Sequence, residues 1–77
     1  MTTLDSIFKI YGIKEALIKN EEMIEIIILK KEQNLTLNRW MNFINSLKYS
    51  FKKEVRFILK KDISDLTNFK KWESKYE

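Results

Sequence analysis

Met23-Ile24-Glu25-Ile26-Ile27-Ile28-Leu29-Lys30-Lys31 is the most apolar run in the chain, and its last four residues return as Ile58-Leu59-Lys60-Lys61. Four of the nine positions are isoleucine. A helix would restrict the χ1 rotamers of so many β-branched side chains, so the run predicts a strand from Met23 to Lys31. Alternation sends Ile24, Ile26 and Ile28 to one face and Glu25, Ile27, Leu29 and Lys31 to the other. Both faces are apolar in the middle, which predicts a central place in a sheet. The second copy predicts a strand from Glu54 to Lys60, with Val55, Phe57 and Leu59 on one face and Arg56, Ile58 and Lys60 on the other. Its wetter face is that of an edge strand.

Working outward, Glu32-Gln33-Asn34 reads as a turn, and Thr36 as the N-cap of a helix from Leu37 to Ser50. There Trp40, Phe43, Ile44 and Leu47 fall on one stripe, with Arg39, Asn42, Asn45 and Lys48 outside. Upstream, Thr3 to Asn20 reads as helical, with Thr2 as its cap and Leu4, Ile7, Phe8 and Tyr11 on one face. The one glycine, Gly12, invites a break between two shorter helices, the second turning Ile13, Leu17 and Ile18 inward. Downstream, Asp62 reads as the cap of a last helix, with Leu66, Phe69, Trp72 and Tyr76 along one side.

The expected fold is therefore α+β, or a small α/β domain, in the order helix, strand, helix, strand, helix, with an all-α chain as the alternative. The last four elements read as two copies of a strand-helix unit. Two strands cannot bury a strand that is apolar on both faces. The sheet is thus expected to extend across a homodimer through Ile24, Ile26, Ile27 and Ile28, unless the N-terminal helix covers that edge.

Composition sets the bounds. The 77 residues suffice for a single small domain, and the 44% apolar content predicts a packed core. Cysteine and histidine are absent. With them go disulfides, thiolate nucleophiles, most zinc sites and the usual proton carrier near neutral pH, so neither an enzyme nor a cofactor or metal site is expected. The start of the chain carries no basic and apolar leader, and no apolar run nears the roughly 20 residues of a membrane span. A cytoplasmic protein with no membrane role is expected. The abundance of Lys, Ile and Asn suggests an AT-rich coding sequence of the low-GC bacterial or phage kind.

The net charge of +4 is unevenly placed, with three lysines against five acids in residues 1 to 29 and twelve basic residues against six acids thereafter. Lys30, Lys31, Lys60 and Lys61 are expected at the carboxyl ends of neighbouring strands, where open α/β sheets bind anionic ligands. The competing reading is that lysines flank strands to keep them soluble. Lys52, Lys53, Lys70 and Lys71 lie beside Phe51, Phe69 and Trp72, a mixture that can stack and neutralise single-stranded nucleic acid, although the same rings at helical spacing also suit a core. Only two of the fifteen basic residues are arginine, which disfavours sequence-specific recognition. Glu21, Glu22 and Glu25 read as a solvated strand start. These observations favour a small non-enzymatic regulator, adaptor or inhibitor acting on a protein partner, with a nucleic-acid-binding module that uses the basic C-terminal part as the alternative.

Overall fold

A computed structural model describes residues 3–74 and shows a mixed α+β fold. Helix α1 (Thr3–Ile10) leads into strands β1 (Ile13–Asn20) and β2 (Ile24–Lys31), followed by helix α2 (Leu37–Phe51). Strand β3 (Val55–Phe57), a single 3-10 turn at Lys60–Asp62 and strand β4 (Lys70–Glu73) complete the order. The four strands form one sheet in the order β3-β2-β1-β4, with β2 and β3 parallel and the other pairs antiparallel.

The Met23 stretch behaves as its residues dictate. β2 is central, and Ile24 and Ile26 are buried on the face covered by the helices, joining Ile7, Phe8, Phe43 and Leu47 in the core. Phe8 meets Phe43 edge to face, with ring centroids 5.6 Å apart, and Tyr11 stacks on Phe43 at 4.7 Å. Helix α2 starts where expected, because the Thr36 Oγ1 accepts the Arg39 N–H at 3.2 Å. It ends at Lys52, whose left-handed φ of 58° closes the last turn through a bond to the Lys48 carbonyl. The crossover from β2 through α2 to the parallel β3 follows from these elements.

Two expected helices are strands or loops instead. Residues 13 to 20 are rich in helix formers, yet they pair with β2 along its whole length and form β1. The break at Gly12 is real: its φ of 73° permits the reversal from α1 into β1. The helix expected after Asp62 does not form among the described residues, and a single 3-10 turn ends at Asp62. Asp65 instead turns the chain locally, accepting both the amide and the hydroxyl of Thr67, and Trp72 lies in β4. The two-fold strand-helix repeat therefore fails in its second copy. The expected strand at Glu54–Lys60 shortens to Val55–Phe57, and Leu59 projects into solvent instead of joining Val55 and Phe57. Thr2 and Tyr76, expected as cap and stripe residues, lie outside the described residues.

The dimer expected through Ile24, Ile26, Ile27 and Ile28 has no edge to use. β2 is hydrogen-bonded to β1 on one side and to β3 on the other. Ile24 and Ile26 are spent on the core under the helices, with Ile28 packed against it. Ile27 faces the opposite side and is also fully buried. The chain between β3 and β4 must pass from one sheet edge to the other, and along the way Asp65 lies close enough to Lys19 of β1 to feel its charge. Ile63, Leu66 and Phe69 are half-buried along this crossing. β1, and not α1, takes the β2 edge that the sequence left open. Among the described residues, no helix is long and apolar enough to cross a membrane.

Candidate functional site

The carboxyl ends of β2 and β3 meet the first turns of α2 at one corner of the fold. A groove of about 270 Å³ opens there, lined by Ile28, Trp40, Phe57, Ile58 and Leu59 with Lys31 and Lys60 at its margin. Its floor is aromatic: Trp40 lies edge-on to Phe57 with centroids 5.0 Å apart, and Phe57 packs on the buried Phe43 at 4.9 Å. Its rim is exposed. Leu59 is 62% accessible, and Leu37 and Met41, which flank Trp40 on α2, are 75% and 54% accessible. Positions 37, 41, 44 and 48 form one row along the helix, and Lys48 of that row pairs with Glu54 at 3.2 Å, just before β3. The row therefore overlooks β3 and extends the groove's apolar surface along the sheet edge.

A bulge decides which lysines reach the groove. Glu15 faces Lys30 across the sheet while its neighbour Ala16 faces Ile28, so Leu29 is the extra residue on β2. The register then recovers, and Lys31 faces the buried Ile13. Lys31 is thereby turned to the helix side, beside Lys60, whereas Lys30 emerges on the opposite face across from Glu15. The structure brings Lys31 and Lys60 together, with Lys61 next along the turn, and separates Lys30 from them. Alternation within β2 does not show this, since the bulge depends on pairing with β1. Of the two helix starts expected beside these lysines, only that of α2 exists as such.

Lys31, Lys60 and Lys61 make no ion pair with any described residue. The other basic pairs differ. Lys71 bridges Glu73 at 2.8 Å and Glu15 at 3.8 Å; its hydrogen bond and charge attraction to Glu73 hold its ammonium above the ordinary lysine range, and the same bond holds Glu73 below the usual carboxylate range. Lys53 donates to Asn20 Oδ1 and to the Glu21 carbonyl, and Lys52 lies over the Tyr49 ring at 4.9 Å. Two of the aromatic residues beside them pack against the core, Phe51 and Trp72; Trp72 sits edge-on to Phe8 and its Nε1–H donates to Asp5 Oδ1 at 2.7 Å. Lys52, Lys53, Lys70 and Lys71 are thus split between opposite sheet edges and do not form one surface with Phe51, Phe69 and Trp72. Lys70 and Lys71 instead line a separate cavity of about 510 Å³ with Leu4, Ile18 and Trp72.

The acidic cluster is solvated. Glu21 pairs with Lys19 at 3.3 Å, and among the described residues no group of carboxylates could hold a metal ion. The sequence reading missed Leu37, Met41 and Leu59, which it left unassigned or turned inward. Their signal was a second apolar row on α2, offset from the Trp40, Phe43 and Leu47 stripe. No family model, curated protein or solved structure matches the chain.

Proposed function

We propose that this chain is a non-enzymatic binding protein that acts on another protein through the groove between α2 and the β3 edge. One observation carries the reading: an apolar groove with a preformed aromatic floor and exposed aliphatic rim lies beside lysines that make no ion pair among the described residues. Buried aromatic anchors surrounded by a polar rim are the composition of protein-binding surfaces. Occupying a partner's surface in this way would make the chain an inhibitor or adaptor, and no chemistry of its own is required.

Nucleic-acid binding by the basic C-terminal part is the second reading, favoured by the open lysines at both sheet edges. It is weakened by the capture of Lys71 and Lys53 and by the use of Trp72 in the core. Selection of short randomised peptides against the wild-type chain, with counter-selection against Leu59→Glu/Lys60→Glu, separates the two. Peptides retained by the wild type alone support the protein-binding reading. Failure to enrich, equal retention by both proteins, or a gain in mass only with a mixed single-stranded oligonucleotide at low salt overturns it.

A further inference from the structure

We infer, building on that reading, that the partner enters as an extended acidic segment that adds a fifth strand to the free edge of β3. The hydrogen-bond register supplies the first part of the argument. Ile24 donates its N–H to the Glu54 carbonyl and Ile58 donates to the Ile26 carbonyl. In a parallel ladder this directs the backbone groups of residues 54, 56 and 58 toward β2. Those of Val55 and Phe57 point away from it, and β3 ends the sheet. The edge therefore presents donors and acceptors from Val55 and Phe57, with the groove of Trp40, Phe57 and Leu59 beside them. A strand laid along this edge places every second side chain over that groove and between Met41 and Leu37 of α2, so backbone pairing and apolar anchoring are satisfied by one extended segment.

Charge selects the segment's composition. Residues 52 to 61 hold five basic residues against one acid, and that acid, Glu54, is already held by Lys48. Arg56, Lys60 and Lys61 have no ion-pair partner among the described residues. A second copy of this edge would set the same cations against one another, which disfavours a homodimer here. An acidic segment with apolar residues at alternate positions complements both the charge and the groove.

The test uses a peptide obtained from the selection described above, prepared with methyl groups on one or the other set of alternate backbone amides. Binding is followed by Trp40 fluorescence in a Trp72→Phe background and by amide exchange of the full chain. One methylated set is expected to lose affinity about tenfold while the other is unaffected. The amides of Val55 and Phe57 are expected to slow by about tenfold or more in the complex. A peptide that still fills the groove, yet tolerates both methylated sets and leaves Val55 and Phe57 exchanging as in the free protein, overturns the added strand while sparing the binding reading. Absence of any groove-binding peptide overturns both. A protein of doubled mass whose Val55 and Phe57 amides are already protected assigns the edge to a second copy.

Discussion

The two edges of the sheet are made of similar material and finished differently. β4 and β3 are short, each carries an aromatic residue on the helix side, and each has lysines beside it. At β4 Lys71 and Trp72 are internally matched, whereas Lys70 is exposed and makes no ion pair among the described residues. Trp72 is anchored by Asp5 and Phe8, and Lys71 is shared by Glu15 and Glu73. At β3 the aromatic residues form a floor, the aliphatic rim is exposed, and Lys31, Lys60 and Lys61 make no ion pair among the described residues. Basic residues near aromatics are therefore not a function in themselves. Lysines without an ion pair among the described residues, beside exposed apolar surface, are what set the β3 edge apart from the β4 edge.

Phe43 is the core residue that both edges rest on. Phe43 touches Phe8, Tyr11, Trp40 and Phe57 and is fully buried, so Phe43→Ala should cost about 3 to 5 kcal/mol and unfold much of the population in denaturant titration. Next, Gly12→Ala should cost about 1 to 2 kcal/mol by the same measurement. The nearest atom to an added Cβ is Glu32 Cβ at 3.5 Å, an ordinary contact, so the expected cost lies in the positive φ alone. At the closed edge, Trp72→Phe keeps the packing on Phe8 but removes the bond to Asp5, for a loss of about 1 kcal/mol. At the open edge, Leu59→Glu/Lys60→Glu should change stability by no more than about 0.5 kcal/mol, because neither side chain is buried. A marked loss there would make the β3 rim structural and erase the contrast.

The smallest effect concerns pH. Hydrogen bonds from the Thr67 hydroxyl and amide hold the Asp65 carboxyl below the usual range. Its contribution is present above the ordinary carboxylate pKa of about 4 and is lost as pH falls through the depressed value. Glu73 follows the same sign, whereas the raised Lys71 contributes below the ordinary lysine value and loses that contribution as pH rises past its own. Asp65→Asn should therefore flatten the acid limb of the unfolding midpoint slightly and leave the groove unchanged, as read by Trp40 fluorescence in the Trp72→Phe background.

What was legible in the sequence follows from which residues carry their own signal. The isoleucines of β2 and the Thr36-capped stripe of α2 state both conformation and burial, and each element lies where its pattern put it. Residues 13 to 20 do not. Lys14, Glu15, Ala16 and Leu17 suit a helix, and only pairing with β2 makes them a strand. The spacing of Leu66, Phe69 and Trp72 likewise imitates a helical stripe, although Trp72 reaches the core from a strand and the other two lie on the crossing loop. The lysine pairs were visible as pairs. Their division into matched and unmatched groups was not, since it rests on the Leu29 bulge and on carboxylates distant in sequence.

One selected peptide, measured side by side against Lys31→Gln/Lys60→Gln at the β3 edge and Lys70→Gln/Lys71→Gln at the β4 edge, decides whether the two edges differ in binding. Loss of affinity by about tenfold or more in the first, with the second binding as the wild type does, is the predicted result. Equal losses in both, or a loss confined to the β4 variant, would contradict it.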